Sequence, residues 1–298
     1  MKRRLVKQGT ATLMISLPSK WIQANNLNKG DEIDIEELEN SLFISQHSKS
    51  KKQSTIINLT NLTESSIRTS IVNAYRSGFD IIEVKFSSEK HYSILSNTLQ
   101  DYLLGFDITK RENNFCIIEN ITEPSENQFD IIFNKIFLNI STLIENTEER
   151  LRNKTKFSDY GHVVHMIHKY DNFCRRIIVK KNLFGSKSNL YWTFLSILIH
   201  AQREIYHLNK YLDKEKVNFN DFKYFDHLKK VFHLLKRGYE EKSFSKLEQI
   251  HELEKQVIYK DYYSLIIKGK KENIILYHIT VAIKELYLAS SPLIGIIL

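Results

Sequence analysis

The stretch Arg4-Leu-Val-Lys-Gln-Gly-Thr-Ala-Thr-Leu-Met-Ile-Ser-Leu-Pro-Ser-Lys-Trp21, followed closely by Leu27-Asn-Lys-Gly-Asp-Glu-Ile33, decides how the first unit of the chain is read. Apolar and polar residues alternate on both sides of Gln8-Gly9-Thr10, with Leu5 and Val6 before it and Leu13 and Ile15 after it, which predicts a hairpin. Pro18 suits a first helical turn, so a short helix is expected over 19–24 with Ser16 as its cap. Asn25-Asn26 can end that helix, because asparagine tolerates left-handed geometry. Asn28-Lys29-Gly30-Asp31 reads as a turn, and Ile33/Ile35 and Leu42/Ile44 as two short strands across Glu39-Asn40-Ser41. Such a unit is barely longer than the roughly 40 residues below which a domain usually needs a disulfide, a metal or a partner copy. Association of two copies is therefore a physical expectation.

The same unit is electrically divided. Residues 1–20 hold Lys2, Arg3, Arg4, Lys7 and Lys20 and no acid, whereas residues 31–39 hold Asp31, Glu32, Asp34, Glu36, Glu37 and Glu39 and no base. A cationic edge set apart from an anionic one suits a polyanion docking on the first, within a chain whose net charge is only +8. The acids are read as a solvated edge strand, where charge also discourages unwanted pairing.

Past a polar, basic linker at 48–54 (SKSKKQS) the pattern changes twice. Strands are predicted at 56–59, 81–86, 107–109 and 115–118, with helices over 64–77 and 91–104 and Gly78 and Gly105 as their C-capping glycines. This order makes a small two-layer α/β domain. From Glu126 the period becomes 3.6, and six helices are predicted: 126–152, 156–181, 189–212, 221–240, 243–268 and 271–291. Val163, Val164, Met166, Ile167, Tyr170, Phe173, Cys174, Ile177 and Ile178 form the apolar face of the second. Short loops between long amphipathic helices predict bundles, here two of three helices each. The fold class expected is α+β and multidomain, with units at 1–47, 55–122 and 125–298.

Composition removes several classes of function. Nine glycines and three prolines are few for 298 residues, and no two glycines lie closer than Gly9 and Gly30, so neither G-x-G-x-x-G nor G-x-x-x-x-G-K-[ST] is present. Cys116 and Cys174 form no CxxC pair, which excludes a zinc ribbon and a disulfide scaffold and suits reduced thiols in the cytoplasm. Neither G-x-S-x-G nor HExxH occurs, and no pair of acids is marked as converging on a cleft, so no enzyme is expected. No secretory signal is expected at the Met-Lys-Arg-Arg start. The apolar tail from Ile274 to Leu298 carries His278, Lys284 and Glu285, and is read as a buried helix without membrane insertion.

His162, His165 and His168 recur every third residue ahead of Asp171. A shared divalent metal is one reading, since imidazoles one turn apart can share an ion. The other is a set of exposed or partner-facing histidines, because the three drift off the apolar stripe on a helical wheel. Tyr191, Trp192, Phe194, Tyr206 and Tyr211 are read as core packing rather than a stacking platform, and Cys174 as a buried thiol without a nucleophilic role.

The front of the chain, with its Gly turn, its S-L-P-x-K-W helix start and its L-x-x-G-D-x-I turn, resembles an AbrB/SpoVT-type swapped-hairpin domain over about 46 residues. That resemblance implies a dimer of interleaved hairpins gripping DNA, with Lys2, Arg3, Arg4, Lys7, Thr10, Thr12 and Lys20 as the contact residues here. The remainder, through A-Y-R-S-G-F-D-I-I-E-V at Ala74–Val84 and A-Q-R-E-I-Y-H-L at Ala201–Leu208, resembles the archaeal PhoU-type phosphate-uptake regulators, whose helical region is two three-helix bundles. PhoU proteins hold metal clusters through repeated E-x-x-x-D motifs. The equivalent stretch here is Asp171-Asn-Phe-Cys-Arg175, with a cation in place of the second carboxylate, and neither Tyr206/Lys210 nor Glu204/Leu208 supplies a pair. No cofactor is therefore expected, and His165, His168 and Asp171 remain the only candidate ligands for a divalent metal.

The expectation is a cytoplasmic, homodimeric DNA-binding regulator of phosphate uptake. Its helical region would receive the signal from a phosphate-transporter component or a signalling protein. The alternatives are an interaction scaffold that regulates a transporter or kinase without binding DNA, and the DNA-binding half of a toxin–antitoxin pair.

Overall fold

The computed structural model describes residues 1–10, 12–38, 41–46, 52–122, 128–255, 257–258 and 272–298. Contacts divide the chain into two units, Met1–Lys52 and Gln53–Leu298. Outside the described residues lie the expected turn at Glu39-Asn40, most of the linker at 48–54, the expected helix start at Glu126, and the latter part of the fifth helix with its break at Gly269.

In the first unit, β1 (Val6–Gln8) and β2 (Thr12–Met14) pair antiparallel, with Val6 opposite Met14 and Gln8 opposite Thr12. Gly9, at φ +72°, makes the turn between them. Helix α1 (Ser19–Ala24) starts on the Pro18 carbonyl, which accepts from Trp21 N and Ile22 N at 3.0 and 3.1 Å. The cap position is thus Pro18, with no side-chain cap, and Ser16 lies too far upstream for the role expected of it. Asn26, at φ +52°, ends the helix in the left-handed conformation asparagine tolerates. Strands β3 (Ile33–Leu38) and β4 (Ser41–Gln46) form a second antiparallel pair with Ile35 opposite Ile44.

The second unit opens with β5 (Ser54–Asn58), α2 (Glu64–Arg76), β6 (Ile81–Lys85), α3 (Glu89–Tyr102), β7 (Phe106–Glu112) and β8 (Phe115–Asn120). Their sheet has the order β5-β6-β8-β7, with β5 parallel to β6 and the other pairs antiparallel. Thr63 and Ser88 cap the two helices by accepting from Ser66 N and His91 N, so α3 begins before the expected His91. Ile67, Ile71 and Tyr75 of α2, Leu95 of α3 and Ile82, Val84 and Cys116 of the sheet are fully buried between the layers. Each such aliphatic side chain contributes about 1.5–3 kcal/mol relative to exposure.

Gly78 caps α2 as expected, at φ +90° with its N–H on the Tyr75 carbonyl. Gly105 has a different reason to be glycine. Helix α3 ends at Tyr102 and Leu103 is already extended. Gly105, at φ +78°, lies against the Thr122 backbone, and a Cβ there would stand 2.1 Å from the Thr122 carbonyl oxygen. Close backbone approach fixes this glycine, not helix capping.

Among the described residues six α-helices follow: α4 (Phe129–Asn153), α5 (Tyr160–Lys181), α6 (Ser188–Lys214), α7 (Lys223–Glu240), α8 (Phe244–Glu254) and α9 (Glu272–Ile297). Lys154 and Asn182 adopt left-handed conformations at the ends of α4 and α5. Helix α9 runs past the expected end at 291, through Pro292. Helices α4, α5 and α6 pack on one another, as do α7, α8 and α9, and side chains of all six join one contiguous apolar core. Helix α9 packs most extensively on α6 and also touches α7 and α8. It is long and apolar enough to cross a membrane, and half of its most apolar window is buried inside the protein, as in a core helix. Its His278 is bonded to Glu204 of α6 at 2.8 Å.

Helix α5 is the seam between the α/β layer and the helices. The buried Arg176 guanidinium donates to the carbonyls of Tyr75 (3.0 Å) and Phe79 (2.8 Å) and to Asp80 Oδ1 (2.7 Å), where Lys180 also bonds. Asn172 Nδ2 donates to the Tyr102 carbonyl at 2.8 Å, and Asn172 Oδ1 accepts from Arg76 Nε at 2.7 Å. Polar groups withdrawn from water here are matched donor to acceptor, as burial requires.

Candidate nucleic-acid interface

Hydropathy alternation gives the first unit its two hairpins, and the hairpins fix where its charges stand. Lys7 is the central residue of β1, opposite Leu13 of β2, and Thr12 opens β2 across from Gln8. Thr10 lies in the turn, Lys20 in the first turn of α1, and Lys2, Arg3 and Arg4 precede β1. All seven nominated residues are exposed. The five cations make no ion pair with any described residue. Long cationic side chains without a carboxylate partner are open to an anion, and the threonine hydroxyls are exposed neutral donors.

The unit also shows what it lacks. None of its residues whose exposure is described is buried. Leu13 is 60% exposed, Ile35 60%, Leu42 63% and Phe43 55%. Sequence pattern identifies Leu13, Ile35 and Leu42 as strand markers, and the structure shows them uncovered. Two paired strands seldom hold together in water without further packing.

The residues nominated for metal lie in the second unit. Asp171 is fully buried and is held by two guanidiniums, with Arg175 Nε on Oδ1 at 2.8 Å and Arg76 Nη2 on Oδ2 at 2.9 Å. Burial pushes its carboxyl upward, and the two arginines oppose that. His165 Nδ1 faces Asp101 Oδ2 at 3.7 Å, and His168 packs near the ring of Tyr102. Burial and the charges of Arg203 and Arg76 push the His168 imidazole down to about 3, which keeps it neutral. Asp171 therefore turns to the arginines rather than to the imidazoles, and among the described residues no three His, Cys, Asp or Glu side chains gather as a ligand set. His162 is exposed.

Arg76 was not nominated by sequence. Its only signal was position, a cation in the last turn of α2 just ahead of Gly78. Of the aromatic residues read as core packing, Phe194 is fully buried and Tyr191 stacks on Phe184 with ring centroids 3.6 Å apart, whereas Tyr206 lines a cleft. Burial pushes the Cys174 thiol well above its usual range, away from nucleophilic chemistry.

A family model described as antidote-toxin recognition MazE, bacterial antitoxin, matches residues 6–54, from β1 to the start of β5. The match spans about a sixth of the chain and supports an N-terminal domain of the MazE/AbrB type. No curated protein and no solved structure matches the chain.

Proposed function

We propose that this protein is a DNA-binding regulator, paired through its first unit, whose second unit receives the signal. The observation that carries the reading is the condition of the first unit: five cations free of carboxylate partners among the described residues, on a scaffold with uncovered apolar strands. A second copy would cover the apolar faces and double the cationic surface, and electrostatic contact with phosphates then supplies the affinity. The MazE/AbrB-like match over residues 6–54 is consistent with that role. The phosphate-response assignment rests on the resemblance of Ala74–Val84 and Ala201–Leu208 to archaeal PhoU-type regulators. Under it, the helical unit relays phosphate status from a transporter component or signalling protein, by favouring one of two states that differ in DNA affinity.

The test is a mobility-shift titration of the full chain on duplex DNA from its own promoter and on an unrelated duplex, with stoichiometry read at saturation. Two chains per shifted duplex, lost in Leu13→Asp, support the reading. A folded full chain that shifts neither duplex at low salt leaves the scaffold role as the better account. The description of the matching family as a toxin antidote favours one other reading, in which the first unit binds a toxin. Deletion of the gene alone separates them, since a cell that keeps a toxin without its antidote is poisoned and a cell without a regulator is not.

A further inference from the structure

Helices α2, α3, α5 and α6 enclose a cleft of about 350 Å³ that the DNA-binding reading does not use. Arg68, Tyr102, His165, His168, Gln202 and Arg203 line it, with Tyr206 and His207 from the same face of α6. No aspartate or glutamate is among its lining residues. Arg203 makes no ion pair with a described residue, while Arg68 pairs with Glu64 at 2.9 Å and lies over the Tyr102 ring at 5.4 Å. The volume is that of a small-molecule site, and the wall is mostly donors.

Two side chains in it are unfinished. Gln202 is fully buried, and neither its Oε1 nor its Nε2 has a hydrogen-bond partner in the protein. Arg68 Nε is likewise buried and unpartnered. A buried donor or acceptor left unmade costs on the order of 1–3 kcal/mol, and buried polar groups in native proteins are nearly always satisfied. Burial keeps His168 neutral, and the surrounding positive charges add to that. The groups facing that imidazole are Arg203 on α6, Arg76 on α2, and His165 and Arg175 on its own helix, all of which oppose its protonation. An arginine without a carboxylate partner among the described residues, an orphaned amide and an absence of lining carboxylates describe a place built for an anion.

We infer that this cleft binds a phosphoryl group, free or carried on a small solute, with Arg68 and Arg203 as its charge partners and the Gln202 amide as a buried donor. The number and spread of donors favour a tetrahedral dianion over a carboxylate. Two guanidinium forks, an amide and two phenols come from three helices, and a phosphoryl group offers three or four oxygens in as many directions. The inference goes beyond the DNA-binding reading and does not depend on it: a solute site would give the helical unit something to sense.

Calorimetric titration of the full chain without DNA tests it, using inorganic phosphate and glycerol 3-phosphate as probes, with thermal unfolding read in parallel. Saturable binding of either probe, with a rise in unfolding temperature, is expected; the tighter of the two tells free phosphate from an organic phosphate. Arg203→Ala changes an exposed residue and should weaken binding at least tenfold in a folded protein. Gln202→Leu removes the orphaned amide without losing volume, so it should weaken binding tenfold while the ligand-free protein melts no lower than wild type. The inference is overturned if neither probe binds saturably at millimolar concentration, or if binding survives both substitutions unchanged. In that event Gln202 is satisfied by water and the cleft is structural.

Discussion

Asp171 of α5 and Arg76 of α2 meet at 2.9 Å in the seam between the α/β layer and the helices, with the carboxylate fully buried and Arg175 on its other oxygen. The one carboxylate that survives from the expected metal motif is therefore a structural joint. Asp171→Ala leaves two guanidiniums facing each other without a counter-charge, and stability should fall by about 3–5 kcal/mol, as when one member of a buried pair is removed. Urea denaturation checks this. Treatment with a chelator should leave the same transition where it was, and a lower midpoint after chelation would return Asp171 to a metal.

Asp80 gives the seam a pH dependence. Burial alone would raise its carboxyl, but the Lys180 ammonium, the Gln53 N–H and Arg176 together hold it below the ordinary carboxylate value. A carboxyl depressed in the folded state contributes stability that is complete above its unfolded value, near 4, and is lost as pH falls through the folded value. Asp80→Asn should therefore cost stability at pH 7, and the gap between wild type and variant should narrow below about pH 4. A gap that is constant or widens in acid would contradict the ion-pair account of Asp80.

Two glycines separate a backbone requirement from an accident of composition. Gly105→Ala would force a Cβ to within 2.1 Å of the Thr122 carbonyl oxygen at φ +78° and should cost about 3 kcal/mol, the upper range for a strained conformation. Gly161, in the first turn of α5, has open space around its Cβ position, so Gly161→Ala should be neutral or stabilising by up to about 1 kcal/mol. Thermal unfolding of the two variants side by side checks both.

Local chemistry carried much of the fold. Alternation around Gly9 and the Leu-Pro-Ser-Lys-Trp stretch placed β1, β2 and α1, and the 3.6-residue period placed six helices, because each pattern reports one face of one element. What stayed illegible depends on partners distant in the chain. Gly105 reads like a capping glycine until Thr122 is seen beside it. Asp171 reads like a ligand until Arg76, 95 positions away, reaches it. The seven contact candidates could be named from charge and resemblance, but the exposure of Leu13 and Ile35 could not, since an apolar residue in a strand looks the same whether its face is covered or bare. Gln202 carried no signal at all, because an orphaned amide exists only in three dimensions.

The most direct measurement is the salt dependence of DNA affinity, taken by fluorescence anisotropy with the full chain and a labelled duplex. If Lys2, Arg3, Arg4, Lys7 and Lys20 grip phosphates, log Kd rises linearly with log salt, at a slope of about 0.9 per phosphate neutralised, and replacing Arg3 and Arg4 by Ala lowers that slope by up to about two. A slope near zero in wild type, or one that the two substitutions leave unchanged, would contradict the account.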